Sequence, residues 1–284
     1  MDPKITKLFE DYKQDGLERR EFLDRLAVLA GGPAAAAALA SLLPQSLANA
    51  QVVPENDSRL VTSEAEYEAA GVKMKGYLAR LKGGAKRPAV IVVHENRGLT
   101  PHIRDVARRL AVEGFLAYAV DMLSPIGGTP ADESQGPKLL ASITPEQHTA
   151  RLAGAVPFLA KHPESTGKVG VVGFCWGGGM VNRLAVASPS LNAGVAYYGA
   201  QVPAEDVPKI RAALLLHYAG QDERINAGIP AFEAALKANN KIYEIYIYEG
   251  TQHAFNNDTG PRYHKEAAEL AWRRTIEFFR KYLS

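Results

Sequence analysis

The segments AVIVV (residues 89–93), VGVVGF (169–174) and AALLLHY (212–218) are short and apolar at nearly every position. A strand with one wet face alternates polar and apolar residues, so continuous runs of this kind suit strands covered on both faces. They alternate with longer stretches, 103–113, 145–161, 177–187, 227–238 and 263–282, that carry apolar residues at three-and-four spacing, as helices packed on a sheet do. Further strands are expected at 72–81, 115–121, 194–198 and 241–248, with the three apolar runs placed at 89–94, 168–173 and 212–218. This alternation predicts an α/β fold: a mostly parallel central sheet with helices on both faces. Residues 122–144, with Pro125, Gly127, Gly128, Pro130 and Pro137, form the longest interruption and read as a loop, either a lid or a plain surface excursion.

With 46% hydrophobic and 23% charged residues, the chain can bury a large core. The net charge is +2, and no basic stretch after residue 50 is interleaved with aromatics, which argues against nucleic acid as a partner. One cysteine, Cys175, rules out an internal disulfide. Oligomeric state leaves no trace in the sequence.

The first fifty residues differ from the rest. Residues 26–43 run without a charge, but Ala and Gly dominate and Pro33 interrupts them, so a stable membrane span is not expected. Arg19-Arg20-Glu21-Phe22-Leu23 ahead of this run and Ala48-Asn49-Ala50 behind it resemble a twin-arginine export signal. The expectation is a signal-like or helical arm at 1–50, periplasmic delivery, and a single α/β domain at 51–284. A retained arm on a cytoplasmic protein is the alternative, favoured by the acidic residues before Arg19 and by Asp24, where such signals usually carry a basic residue.

Cys175 lies in GFCWGGG, between an apolar strand and a helical stretch. A lone cysteine is commonly a small buried hydrophobe, yet G-x-C-x-G at a strand-to-helix turn has the form of a nucleophile elbow. The turn brings the chain too close to strand and helix for side chains at Gly173 and Gly177, and it lifts the thiol toward a helix N-terminus, which favours thiolate. In an elbow fold the acid and the histidine follow at later strand ends. Asp222 stands just past the run 212–218 and His253 just past 241–248, in that order. Taken singly, Asp222 could be a turn former or N-cap and His253 an ordinary loop histidine; together they fit a Cys-His-Asp arrangement. His217, inside a strand, reads as structural.

HENRG (residues 94–98) raises a metal reading that its spacing does not support, since Gly98 stands where a helical pair needs its second histidine. No metal and no cofactor are expected. The same segment can supply the Asn96 N–H to an oxyanion hole, paired with the N–H of Trp176.

HENRG, GFCWGGG, GQDERI and TQHAFNN together resemble the dienelactone hydrolase family, over roughly residues 65–284. The resemblance implies cleavage of small carboxylic esters or lactones through a thioester acyl-enzyme. It also implies that Glu95 bonds the cysteine and helps to form the thiolate. Family members carry an arginine for the substrate carboxylate four residues after the histidine, where this chain has Asn257. Arg97 and Arg262 are the candidate substitutes. A non-catalytic binding protein on the same fold, or a peptidase, are the other readings left open.

Overall fold

In the computed structural model the apolar runs pair side by side, and a single eight-stranded sheet takes the order β1-β2-β4-β3-β5-β6-β7-β8. The structure describes residues 4, 5, 7, 8, 19–32 and 51–284. The chain divides into two compact units, Met1–Val52 and Val53–Ser284. In the first, helix α1 (Arg19–Ala30) opens with the paired arginines, while Ala48, Asn49 and Ala50 lie outside the described residues. Among the described residues no helix is long and apolar enough to cross a membrane.

The second unit runs β1 (Leu60–Ala69), β2 (Val72–Leu81), β3 (Arg87–Val93), α2 (Pro101–Val112), β4 (Leu116–Asp121), α3 (Gly136–Ala141), α4 (Pro145–Ala153), α5 (Ala155–Ala160) and β5 (Ser165–Phe174). It continues with α6 (Trp176–Ala187), β6 (Ala193–Tyr197), β7 (Ala213–Gln221), α7 (Glu223–Asn226), α8 (Ile229–Ala238), β8 (Tyr243–Gln252) and α9 (Lys265–Tyr282). β2 pairs antiparallel with β1 and β4, and every other pairing is parallel. Because strand side chains alternate faces, one continuous apolar run feeds two cores. Ile91, Val93, Val171, Leu214 and Leu216 pack with residues of α4, α5, α6 and α8, whereas Val90, Val92, Val172 and Leu215 pack with residues of α2 and α9. The helices thus cover both faces.

Four stretches differ from the expectation. β1 is an additional strand, hydrogen-bonded to β2 in a ten-residue register; only Leu60 and Tyr67 of it are buried, so it carries little apolar signal. The stretch 145–161 is two helices rather than one. They meet at Gly154, where a Cβ would come within 2.5 Å of the Ala69 Cβ and 3.0 Å of the Tyr67 ring, so β1 crosses too close for a side chain there. The stretch 227–238 begins later, at Ile229, behind the one-turn helix α7. The interruption at 122–144 is not a bare loop: it holds two short 3-10 turns and α3. Parallel strands β3, β5, β6, β7 and β8 end on one edge, where α/β folds assemble ligand sites.

Candidate active site

Cys175 stands at φ 56°, ψ −116°, between β5 and α6. That backbone is strained for any residue with a side chain, by about 1–3 kcal/mol, and the surroundings hold it. Its N–H donates to the Tyr197 carbonyl at 3.0 Å, and its own carbonyl accepts from Gly179 N–H at 3.2 Å. A Cβ at Gly173 would lie 2.2 Å from the Gly177 carbonyl oxygen, and one at Gly177 would lie 2.4 Å from that of Val93. Both contacts are with backbone, which cannot swing aside as a side chain can.

The sulfur does not rest as the expected thiolate. Burial pushes the Cys175 thiol up to about 11, with the Glu95 carboxylate adding to the rise; the Trp176 N–H and the Arg224 and Arg262 guanidiniums only partly oppose them. The helix N-terminus acts in the expected direction, but desolvation of a half-buried thiol beside a carboxylate outweighs it. At neutral pH the resting group is S–H.

His253 and Asp222 meet as their order suggested. The Asp222 Oδ2 is 2.5 Å from His253 Nδ1, which leaves Nε2 free of the carboxylate. Asp222 occupies the N-cap position of α7 yet its side chain makes no capping bond, so the carboxylate is committed to the imidazole rather than to the turn. Cys175, Trp176, His253 and Asn96 line one cavity of about 580 Å³, within the usual size of small-molecule sites. Leu140, Ile143, Met180 and Ile225 give it apolar walls, and Arg183 and Arg224 add two exposed cations. Segment 122–144 therefore forms a wall of the cavity through α3 and the residues after it. It sits directly on the HENRG backbone, since a Cβ at Gly136 would lie 2.6 Å from the Asn96 carbonyl oxygen.

Glu95 does not bond the sulfur in this structure. Its Oε2 accepts from Asn257 Nδ2 at 2.7 Å, so Asn257 faces Glu95. The loop carrying Asn257 is anchored by Asp258, which lies 3.0 Å from His102 Nδ1 and 2.5 Å from Arg109 on α2. Arg97 is exposed and is not part of the cavity lining; Arg262 is outside the lining too, though its charge reaches the sulfur.

Several contributors gave no sign of their role in the sequence. His94, weighed above only for a metal, is fully buried: Met122 N–H donates to its Nε2 at 3.1 Å, so Nδ1 holds the proton and donates to the Glu95 carbonyl at 2.5 Å. This pins the backbone just before Asn96. Burial lowers its pKa, which keeps it neutral. The Trp176 indole stacks on His94 with centroids 5.7 Å apart, and meets His148 edge-on at 4.9 Å. His217 is structural as read, accepting or donating at both ring nitrogens to Tyr248 and Thr275. Arg183, Arg224, His148 and Tyr198 also line the cavity; only the fold could show it, because each comes from a different element.

A mostly parallel sheet flanked on both faces, with a strained residue on a strand-to-helix elbow and a histidine–aspartate pair at later strand ends, defines the α/β-hydrolase class of architecture. The chain belongs to the dienelactone hydrolase family, whose family model matches residues 74–283. It is 34% identical over 247 residues to a protein of Escherichia coli (strain K12) named "Putative carboxymethylenebutenolidase", covering 81% of this chain and 91% of that one. It is 29% identical to a Bradyrhizobium protein named "Probable 2-oxo-3-(5-oxofuran-2-ylidene)propanoate lactonase", over 75% of this chain and 91% of the other. Among solved structures, one from Klebsiella pneumoniae subsp. pneumoniae described as a "Putative Dienelactone Hydrolase" superposes with a TM-score of 0.72 at 33% identity, covering 78% of this chain and 99% of that one.

Proposed function

We propose that this protein hydrolyses small carboxylic esters or lactones through a thioester on Cys175. The observation that carries the reading is the cavity in which the strained cysteine and the Asp222-bound His253 are both wall residues. The thiol proton passes to the Glu95 carboxylate, the neighbour whose charge resists thiolate formation; once it is protonated that resistance is gone. Thiolate attacks the carbonyl carbon, a C–S bond forms, and the carbonyl electron pair moves to oxygen, where the Asn96 and Trp176 N–H groups receive it. Collapse breaks the ester C–O bond. The alkoxide leaves with the proton taken from sulfur, and a thioester remains. His253 then deprotonates water, Asp222 stabilises the imidazolium, and attack on the thioester releases the acid and restores the thiol.

The neutral amide of Asn257 is engaged with Glu95, so a substrate carboxylate would meet Arg183 and Arg224 at the cavity instead. The expected test result is that Cys175→Ala loses hydrolysis of p-nitrophenyl acetate while keeping the wild-type melting temperature. Undiminished hydrolysis by that variant would refute the reading.

A further inference from the structure

Tyr198 combines two unfavourable features beside the reacting sulfur. It follows β6 directly with φ 40°, a strained left-handed backbone that bulky side chains rarely adopt. It is also fully buried, and its hydroxyl has no hydrogen-bond partner. Leaving a buried donor without an acceptor is destabilising, and in a native fold such a group calls for a reason. Other buried tyrosines do find partners. Tyr197 Oη pairs with Thr275 Oγ1 at 2.7 Å, Tyr118 donates to the Ala65 carbonyl at 3.1 Å, and Tyr67 donates to that of Arg151 at 3.0 Å. Tyr218 does not line the cavity, whereas Tyr198 does.

The sheet register places Tyr198 next to the nucleophile. Phe174 lies opposite Tyr197, and Cys175 N–H donates to the Tyr197 carbonyl, so Cys175 and Tyr198 leave adjacent strands side by side. The Tyr198 ring is 5.0 Å from that of His253 and 5.5 Å from that of Phe255, centroid to centroid. The charged or chargeable groups acting on its hydroxyl include Glu95, Cys175 and Arg262. Around the sulfur itself stand Glu95 after β3, the Trp176 N–H of α6, Arg224 of α7, Arg262 before α9, His253 after β8 and Tyr198 after β6.

We propose that the Tyr198 hydroxyl is the hydrogen-bond donor for the thiolate: unbonded while Cys175 is a thiol, it donates to Sγ once the proton has left. The inference rests on Cys175 being the nucleophile proposed above. In the step concerned, the S–H bond breaks, its electron pair stays on sulfur and the proton goes to Glu95; the tyrosine keeps its own proton and only shares it. One negative charge persists throughout, and it moves from a carboxylate held by Asn257 to a sulfur that a change of cysteine rotamer turns toward the waiting hydroxyl. The backbone strain at residue 198 is then what holds the donor there before the charge arrives.

The test is the pH dependence of iodoacetamide alkylation of Cys175 in wild type, Tyr198→Phe and Tyr197→Phe, with melting temperatures recorded alongside. A hydrogen bond to a charged group contributes about 1.5–3 kcal/mol, so Tyr198→Phe should move the alkylation midpoint up by about one pH unit or more, a roughly tenfold slower reaction near neutral pH. Its melting temperature should not fall, because phenylalanine keeps the ring packing and removes an unbonded group. Tyr197→Phe deletes a bonded hydroxyl on the adjacent residue and should leave the midpoint in place while lowering the melting temperature. Superimposable wild-type and Tyr198→Phe profiles, or equal shifts in both variants, would overturn the proposal. Alkylation needs no ester turnover, so a wild-type protein that hydrolyses no ester would sink the proposed function while this comparison could still be read.

Discussion

Glu95→Gln should make Cys175 easier to alkylate and the protein slower at hydrolysis, two effects of opposite sign from one substitution. The thiol sits at about 11 against an ordinary value of 9.0; burial is the larger cause and the Glu95 charge the second. Glutamine removes the charge while its amide oxygen can still accept from Asn257, so only the electrostatic contribution should disappear. Since Glu95 ranks behind burial, the thiol should fall by on the order of one unit, giving roughly tenfold more thiolate near neutral pH. Hydrolysis loses its proton acceptor, and removal of a general base costs about 10²- to 10⁴-fold. The assay pairs pseudo-first-order iodoacetamide rates with kcat/KM for p-nitrophenyl acetate on the same preparations. If both rates fell together, Glu95 would be supporting the thiolate directly and the proton-acceptor role would be wrong. Unchanged hydrolysis would remove Glu95 from the chemistry altogether.

Two further outcomes follow from the surroundings of the site. Burial, the strongest single influence on Asp258, pushes its carboxyl up, but His102 and Arg109 together hold it at about 2 against 3.8; a lowered folded value adds stability that is complete above 3.8 and lost as pH falls through about 2. Urea titration of Asp258→Asn should therefore show about 2 kcal/mol less stability than wild type at neutral pH, a gap that closes at strongly acidic pH; a gap independent of pH would contradict the ion-pair account. Arg183→Gln should raise KM for a carboxylate-bearing lactone about threefold more than for a neutral ester, as expected of an exposed ion pair, and equal effects on both substrates would remove Arg183 from anion binding.

How much the sequence revealed depended on whether a residue's role was local. The strand-to-helix turn at Cys175 was legible because Gly173 and Gly177 answer contacts within a few residues or with the next strand. Asp222 and His253 were legible because parallel strands end on a common edge and chain order does the rest. β1 escaped notice because its partner β2 and the helix break at Gly154 supply the reason for it, and neither lies in its own composition. The ionisation of the thiol went the other way from the helix-terminus argument, since burial is set by the packing of the whole site. Asn257 stood out only as a departure from the family arginine; that it holds Glu95, 162 residues away in sequence, needed coordinates. Arg183, Arg224 and Tyr198 likewise depend on three elements converging at one sheet edge.

Rapid acid quench of wild type during turnover of p-nitrophenyl acetate, followed by peptide mass analysis, addresses the covalent step itself. The expected result is an acetyl group on the peptide containing Cys175, labile to hydroxylamine at neutral pH as a thioester is, and its accumulation if His253→Ala blocks the second half of the reaction. Acetyl found on another side chain, or turnover with Cys175 unmodified at every quench time, would contradict it.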